Sequence, residues 1–438
     1  HVVTVEGLRR FPLNVASKIA SGPTAAADSR HYIPSDTNLT PVQKAMVDCH
    51  GSQCGFCTPG FVMAMTGVCE HSNGHVPSEA EWRTALTGNL CRCTGYTAIV
   101  AAAMQASASG GPKLNTLYPP APMLADLAQL QDDVVNLHSN DDHGNCRAFC
   151  PTTLDDALKF RAACPQAKIV AGATDVGVQL NKRVIEPRSF LDLNRVAELQ
   201  EVEIANLETS PPGERELGGR SIIAGAGSTW TQLLDIYRRE VPEFAKILSV
   251  FGSPQIRHVG TLGGNIINAS PIADSLPFLF VMEAELEMAG PTGTRRVNIN
   301  EFYRGYKKFD LQADELLTRI WIPLPREQEL LRLYKISRRR DLDISTFTAA
   351  VRIRLAGNTI ENAALAYGAV GPTVLRLRQT EKFLCGQPFN EATLAAAGDV
   401  AANEITPISD VRGTKDYRLQ LARNVLLKFY HEQQLVSV

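Results

Sequence analysis

No surplus of either charge marks this sequence: 44 Lys and Arg stand against 46 Asp and Glu, a formal net charge of −2 over 438 residues. That removes the basic field expected of a nucleic-acid or anionic-membrane binder. Long apolar runs are missing too, and stretches such as PFLFVM at 277–282 are far too short to span a bilayer. No charged segment followed by an apolar stretch opens the chain, so no secretory signal is expected and the cytoplasm is the expected compartment. A secreted disulfide framework is disfavoured as well: the ten cysteines lie in a long chain, four of them in C-x-x-C and C-x-C clips. What is present, 44% hydrophobic and 21% charged residues, suits a globular protein with roughly two or three cores.

Local signals divide the chain. Residues 40–108 read as four short helices forming a small bundle: Thr40 and Pro41 open one, Thr58 and Pro59 a second, and Ser78 with Glu81 makes a capping box for a third. TAIVAAAMQASAS is the fourth. Residues 9–39 show little periodicity and read as an insertion. Residues 109–148, with SGGPKLNTLYPPAPM and SNDDHGN, read as a linker. Beyond 149 the pattern is mixed: TTLDDALKFRAAC is a capped helix, AKIVAGA a strand, and SIIAGAGSTWTQLLDIYRR repeats the strand-to-helix theme. A second mixed block starts near 328. Two α/β or α+β domains in succession are expected, 149–327 and 328–438.

The sharpest chemical signal is GSQCGFCTPGF (51–61) followed by GNLCRCTGY (88–96). Cys54, Cys57, Cys91 and Cys93 have the spacing of metal ligands. A structural zinc held by four thiolates is one reading. The alternative is an iron–sulfur cluster, because both clips run into helix starts, where orphan N–H groups and the positive end of the helix dipole face the thiolates. Hydrogen bonds to sulfur raise a cluster's reduction potential. Two glycine-rich turns add a second signal. IVAGATDVG (169–177) and GTLGGNIINASPIADS (260–275) let backbone approach a ligand, and consecutive N–H groups can nest an anion. Many α/β turns of this kind bind nothing, and neither fits the G-x-G-x-x-G of a dinucleotide fold.

These motifs closely resemble the molybdenum hydroxylase family, in particular the iron–sulfur/FAD subunits of xanthine dehydrogenase type, over nearly the whole chain. The resemblance implies a multidomain α+β protein. A four-helix [2Fe–2S] bundle (40–108) would precede an α/β FAD-binding domain and an α+β flavoprotein C-terminal domain, the last carried by YKISRRRDLDIS and DVRGTKDYRLQLARNVLL. It implies that Cys54, Cys57, Cys91 and Cys93 hold a [2Fe–2S] cluster, with Gln53 and Cys93 beside a molybdenum cofactor that a partner polypeptide or domain carries. FAD contacts would come from Ile169, Val170, Ala171, Gly172, Ala173, Thr174, Asp175 and Val176, and from Phe251, Gly260, Thr261, Gly264, Asn265, Ile267 and Asp274. Lys335, Arg338 and Asp343 are candidates for a place near the flavin ring or near NAD⁺, the alternative being solvated charges on a surface strand. HVVTVEGL resembles the end of a preceding ferredoxin-like domain whose cluster ligands would lie upstream, so 1–39 is expected to be that tail plus the insertion. Thr97 and Ala98 depart from the family's usual Arg-Pro after the tyrosine. The implied activity is electron transfer from the molybdenum cofactor through [2Fe–2S] clusters to FAD and on to NAD⁺ in purine oxidation, within a higher hetero-oligomer. Aldehyde- or N-heterocycle-oxidising relatives and a zinc-stapled protein without redox role are the alternatives.

Overall fold

A computed structural model describes residues 39–109, 114–130, 133–141, 144–207 and 219–436. Apart from Leu39, the expected ferredoxin-like tail and insertion at 1–39 lie outside the described residues. The chain divides into two compact units, 1–132 and 133–438.

The first unit is the expected bundle, with helices α1 (Pro41–Asp48), α2 (Thr58–His71), α3 (Glu79–Ala85) and α4 (Thr97–Ser109). Its core follows helical spacing: Val42, Ala45 and Met46 on α1, Phe61, Val62 and Met65 on α2, Ile99, Ala102, Ala103 and Ala106 on α4. The fully buried Trp82 of α3 lies among them. Both Thr40–Gln43 and Ser78–Glu81 form reciprocal capping boxes. The start of α2 differs from expectation. Its cap residue is Cys57 and Thr58 is already helical, because the Thr58 hydroxyl turns to Ser52, 2.7 Å away, instead of capping.

The stretch read as a linker is structured. It holds two further helices, α5 (Leu114–Leu117) and α6 (Pro120–Ala128), and then an antiparallel hairpin of β1 (Val135–Asp141) and β2 (Gly144–Cys150). The hairpin belongs to the second unit: β2 runs parallel to β4 (Ser189–Asp192), which pairs in parallel with β3 (Lys168–Val170). Helix α7 (Leu154–Ala163), capped by Thr153, packs on this sheet through Ala157 and Phe160.

The next sheet is antiparallel throughout, with order β5-β6-β11-β7-β8. Its strands are β5 (Val202–Leu207), β6 (Gly219–Gly225), β7 (Glu285–Gly290), β8 (Gly293–Asn298) and β11 (Leu316–Pro323), with a two-stranded ribbon of β9 (Tyr303–Gly305) and β10 (Lys308–Phe309) inserted. Between β3 and β4 lies α8 (Val176–Asn181). Between β6 and β7 the chain runs through α9 (Trp230–Glu240), α10 (Pro242–Ser249), α11 (Pro254–Val259), α12 (Leu262–Asn268) and α13 (Leu276–Val281). An aromatic stack, Tyr237 against Phe244 and Phe244 against Phe278 at 4.1 Å between ring centroids, anchors these helices.

After α14 (Ile299–Phe302), the third sheet holds β12 (Glu329–Ile336), β13 (Phe347–Ala356), β14 (Thr359–Gly368) and β15 (Leu375–Arg376), all antiparallel. It is buried on both faces. Phe347, Val351 and Ile353 of β13 meet the closing helices α16 (Glu391–Glu404) and α17 (Lys415–Val436), which follow α15 (Arg378–Leu384). Ala350, pointing the other way, joins the core of the preceding sheet.

The capping box of α3 has a pH signature. The Ser78 backbone N–H and hydroxyl, with His75 beyond them, hold the Glu81 carboxyl down at about 2. A depressed folded value stabilises above the ordinary value of 4.5 and is lost as pH falls through about 2. Amide exchange of the 78–86 segment, corrected for intrinsic rates, should accelerate over that window in the unsubstituted protein. In Glu81→Gln the acid-dependent loss should be absent.

Candidate redox and cofactor sites

In the first unit, the two cysteine clips are brought together. Cys93 Sγ lies 3.4 Å from Cys54 Sγ, and the Cys57 and Cys91 thiols lie close enough to shift each other's protonation. The loops that achieve this are tied locally: the Cys91 N–H donates to Tyr96 Oη at 3.0 Å, and the Tyr96 ring meets Phe61 of α2 edge-on. The four thiols are not equivalent. The Thr94 hydroxyl beside Cys91 brings its thiol down to about 7, while burial pushes Cys57 up to about 11. The Phe56 N–H lowers Cys54, and the hydrogen bond with Cys54 raises Cys93.

Among the described residues, no three His, Cys, Asp or Glu side chains are grouped to hold a single metal ion. Two thiol pairs suit a two-iron cluster, in which each iron takes two thiolates, better than one tetrahedral zinc. Cys54 and Cys93 are exposed, whereas Cys91 is buried in the bundle core. Gln53 is exposed on the same loop, and Phe56 (96% exposed) and Leu90 (68%) flank the clips.

In the second unit, a cleft of about 460 Å³ lies where β3 and β6 end, within the range of roughly 300–1,000 Å³ common for ligand sites. Of the residues anticipated, Ile169, Ala171, Gly172, Ala173, Thr174, Asp175 and Val176 line it, as do Phe251, Gly260, Thr261, Gly264, Asn265 and Ile267. Gly172 is required by close approach: a Cβ there would lie 1.8 Å from the Val259 carbonyl oxygen. Gly264 stands in the first turn of α12, where its N–H donates to the capping hydroxyl of Thr261. A Cβ would come within 2.8 Å of that hydroxyl.

Two anticipated residues do not line the cleft. Val170 is held in β3, its carbonyl accepting from Leu193 N–H at 2.8 Å. Asp274 is buried in an ion pair with Lys335 Nζ at 2.5 Å and accepts from Ser345 Oγ at 2.5 Å. Lys335 also donates to the Asp343 carbonyl at 3.0 Å, so its head is occupied.

The cleft also recruits residues the sequence reading passed over. Trp230 lines it beside Phe251, ring centroids 5.0 Å apart, and Ala226 and Gly227 follow β6 just as Ala171 and Gly172 follow β3. The repeated Ala-Gly-Ala at a strand end (171–173 and 224–226) was a usable signal. Lys307 adds a cation, its Nζ donating to Asn268 Oδ1 at 2.6 Å and its pKa lowered by burial. Glycine backbone, a hydroxyl, a lysine and an aromatic wall together suit a cofactor with a phosphate arm and a flat ring. A larger cavity, about 690 Å³, lies at the other end of β6 and β11. Ion-paired side chains line it, such as Arg376 with Glu381 and Arg220 with Glu240, and it includes none of the anticipated residues.

Comparison with known proteins gives this geometry its context. Residues 31–104 match a [2Fe-2S] binding domain, 144–325 the FAD binding domain in molybdopterin dehydrogenase, and 332–433 the CO dehydrogenase flavoprotein C-terminal domain. The xanthine dehydrogenase FAD-binding subunit of Escherichia coli O157:H7 is 34% identical over 283 residues, 64% of this chain and 93% of that one. The chain belongs to the molybdenum hydroxylase family. It is a member with both an FAD-binding and a [2Fe–2S]-binding domain, related to xanthine dehydrogenase. Xanthine dehydrogenase 1 of Arabidopsis thaliana is 28% identical over 90% of this chain, which spans about a third (32%) of that protein's length. Among solved structures, carbon monoxide dehydrogenase from Hydrogenophaga pseudoflava matches with a TM-score of 0.58 and 25% identity, over 67% of this chain and 96% of that one. No helix among the described residues is long and apolar enough to cross a membrane.

The glycine assignment is open to test. Gly264→Val should disturb the α12 start and expel flavin while leaving iron content unchanged. A folded variant with its full yellow absorbance would place the cofactor elsewhere.

Proposed function

We propose that the chain is the electron-transfer part of a xanthine dehydrogenase-type enzyme. Electrons leave a molybdenum cofactor on a partner polypeptide or domain, cross [2Fe–2S] clusters, reach FAD and pass to NAD⁺, with a purine as the substrate oxidised. The observation that carries this reading is the pairing of Cys54 with Cys93 and of Cys57 with Cys91, in a chain that also holds the FAD cleft. The match to about a third of a plant xanthine dehydrogenase fits a division of labour in which the hydroxylation chemistry resides outside these residues. The cluster and flavin supply the one- and two-electron chemistry, and the protein supplies position and electrostatics.

In this reading Cys54, Cys57, Cys91 and Cys93 are the cluster ligands. Loop N–H groups of 171–176 and 260–265 would hold the diphosphate of FAD, Lys307 would offset its charge, and Phe251 and Ile267 would flank the ring. Asp274 acts at one remove, fixing the Lys335 strand against the segment that follows α12. The exposed loop carrying Gln53 and Phe56, with Leu90 ahead of the second clip, is the face the molybdenum-bearing partner covers, since an exposed ring beside redox thiols is a natural docking anchor. Assembly as a hetero-oligomer in the cytoplasm follows.

Single Cys→Ser changes at 54, 57, 91 and 93 should each weaken or abolish one [2Fe–2S] electron paramagnetic resonance signal without loss of FAD. Four unaltered spectra would withdraw the ligand assignment.

Gln53→Ala should leave cluster and flavin spectra intact yet slow cluster reduction by purine in the assembled complex, read by stopped flow. An unchanged rate in fully metallated enzyme would return Gln53 to an ordinary surface role. Purification from the native host with molybdenum analysis and a purine-to-NAD⁺ assay tests the whole reading. Activity with an aldehyde in place of the purine would move the chain to a different branch of the family.

A further inference from the structure

One polar group beside the thiol pairs has nothing to do. The side-chain nitrogen of Asn89, Nδ2, is buried and without a hydrogen-bond partner. The residue is fixed from several sides. Its backbone N–H donates to the Leu86 carbonyl at 3.0 Å, closing the turn that leaves α3. Its Oδ1 lies against Gly60 in the first turn of α2, 3.0 Å from where a Cβ would stand. Gly60 is three residues beyond Cys57, and Asn89 is two residues before Cys91, so the amide lies against the first turn of the helix that Cys57 opens and within two residues of a second candidate ligand.

Buried amide hydrogens are almost always paired, and one left over asks for an acceptor the polypeptide does not supply. The polypeptide supplies none, and the one hydroxyl of the second clip, that of Thr94, is engaged by Cys91 and by the Tyr96 N–H. A cluster does supply acceptors, as sulfide or thiolate sulfur, and N–H donors to sulfur move its potential upward by offsetting its negative charge.

We propose that the Asn89 side-chain amide donates its Nδ2 hydrogen to a sulfur of the [2Fe–2S] cluster on the Cys57–Cys91 side, and so raises its reduction potential. Asn89 is thereby a tuning residue and not a ligand. The proposal rests on the ligand assignment above, and the two fail separately. If the unsubstituted protein binds no cluster, the assignment falls. If the cluster is present and indifferent to residue 89, only this inference falls.

The test uses the whole chain, with Asn89→Leu to remove the donor without adding charge and Asn89→Asp to keep the amide's shape without its N–H. Redox titration should show the cluster's midpoint moved to lower potential in both variants. A shift of about tenfold in the reduction equilibrium is expected for Asn89→Leu, about 59 mV for one electron, and a larger one for Asn89→Asp. Flavin content should be unchanged. Pulsed electron paramagnetic resonance on protein labelled with ¹⁵N-asparagine should show a nitrogen coupled to the reduced cluster that disappears in both variants. A merely structural asparagine would not produce that coupling. Unchanged potentials in cluster-loaded variants, or the same nitrogen coupling persisting without Asn89, would overturn the proposal. Should Asn89→Leu fail to load a cluster, the isosteric Asn89→Asp and the labelled unsubstituted protein decide the question by the same criteria.

Discussion

The second unit is organised round a place where main chain rests directly on main chain. At Gly172 the turn after β3 comes so near the end of α11 that no side-chain atom fits between it and the Val259 carbonyl. That approach brings the 169–177 turn and the 260–265 segment to one cleft, with backbone donors from both sides. The aromatic stack of Tyr237, Phe244 and Phe278 ties together α9, α10 and α13, the helices before and after the α11 that carries Val259, and the parallel β4–β3 pair fixes the strand that delivers Gly172. The cleft depends on hard-core repulsion and backbone geometry more than on any one strong attraction.

The first unit shows a different economy. Its cluster loops and its hydrophobic core share atoms: Cys91 is in the core, Cys57 caps α2, and Tyr96 both binds the Cys91 N–H and packs on Phe61. Any group held by the four thiols is therefore also a bond between helices, and its loss would be felt by the bundle as a loosening of α2 and α4.

Local signals were legible in the sequence because their partners are close by. Thr40, Ser78 and Thr153 cap helices through bonds spanning three residues, and the cysteine clips are motifs of a few positions. Partners far along the chain were not. Asp274 looked like a ligand residue, yet its buried partners Lys335 and Ser345 lie 61 and 71 positions away, and nothing near Asp274 announces them. The β1–β2 hairpin was hidden for a similar reason. VNLHSND is almost wholly exposed and carries no alternation, and the hairpin's place is set by the pairing of β2 with β4. Trp230 escaped notice because its partner, Phe251, comes beside it only once α9 and the turn after α10 are folded together. Which cysteine faces which is likewise a product of folding, since spacing alone permits other pairings.

The nearly bare ring of Phe56 has a consequence for the lifetime of the chain before anything covers it. With Cys54 and Cys93 also open to solvent, the same few square nanometres combine surface stickiness with sulfur that oxidants can reach. A newly made copy is thus on a clock. Covered, the loop is shielded on both counts; left uncovered, it offers an apolar contact and oxidisable sulfur at the same place.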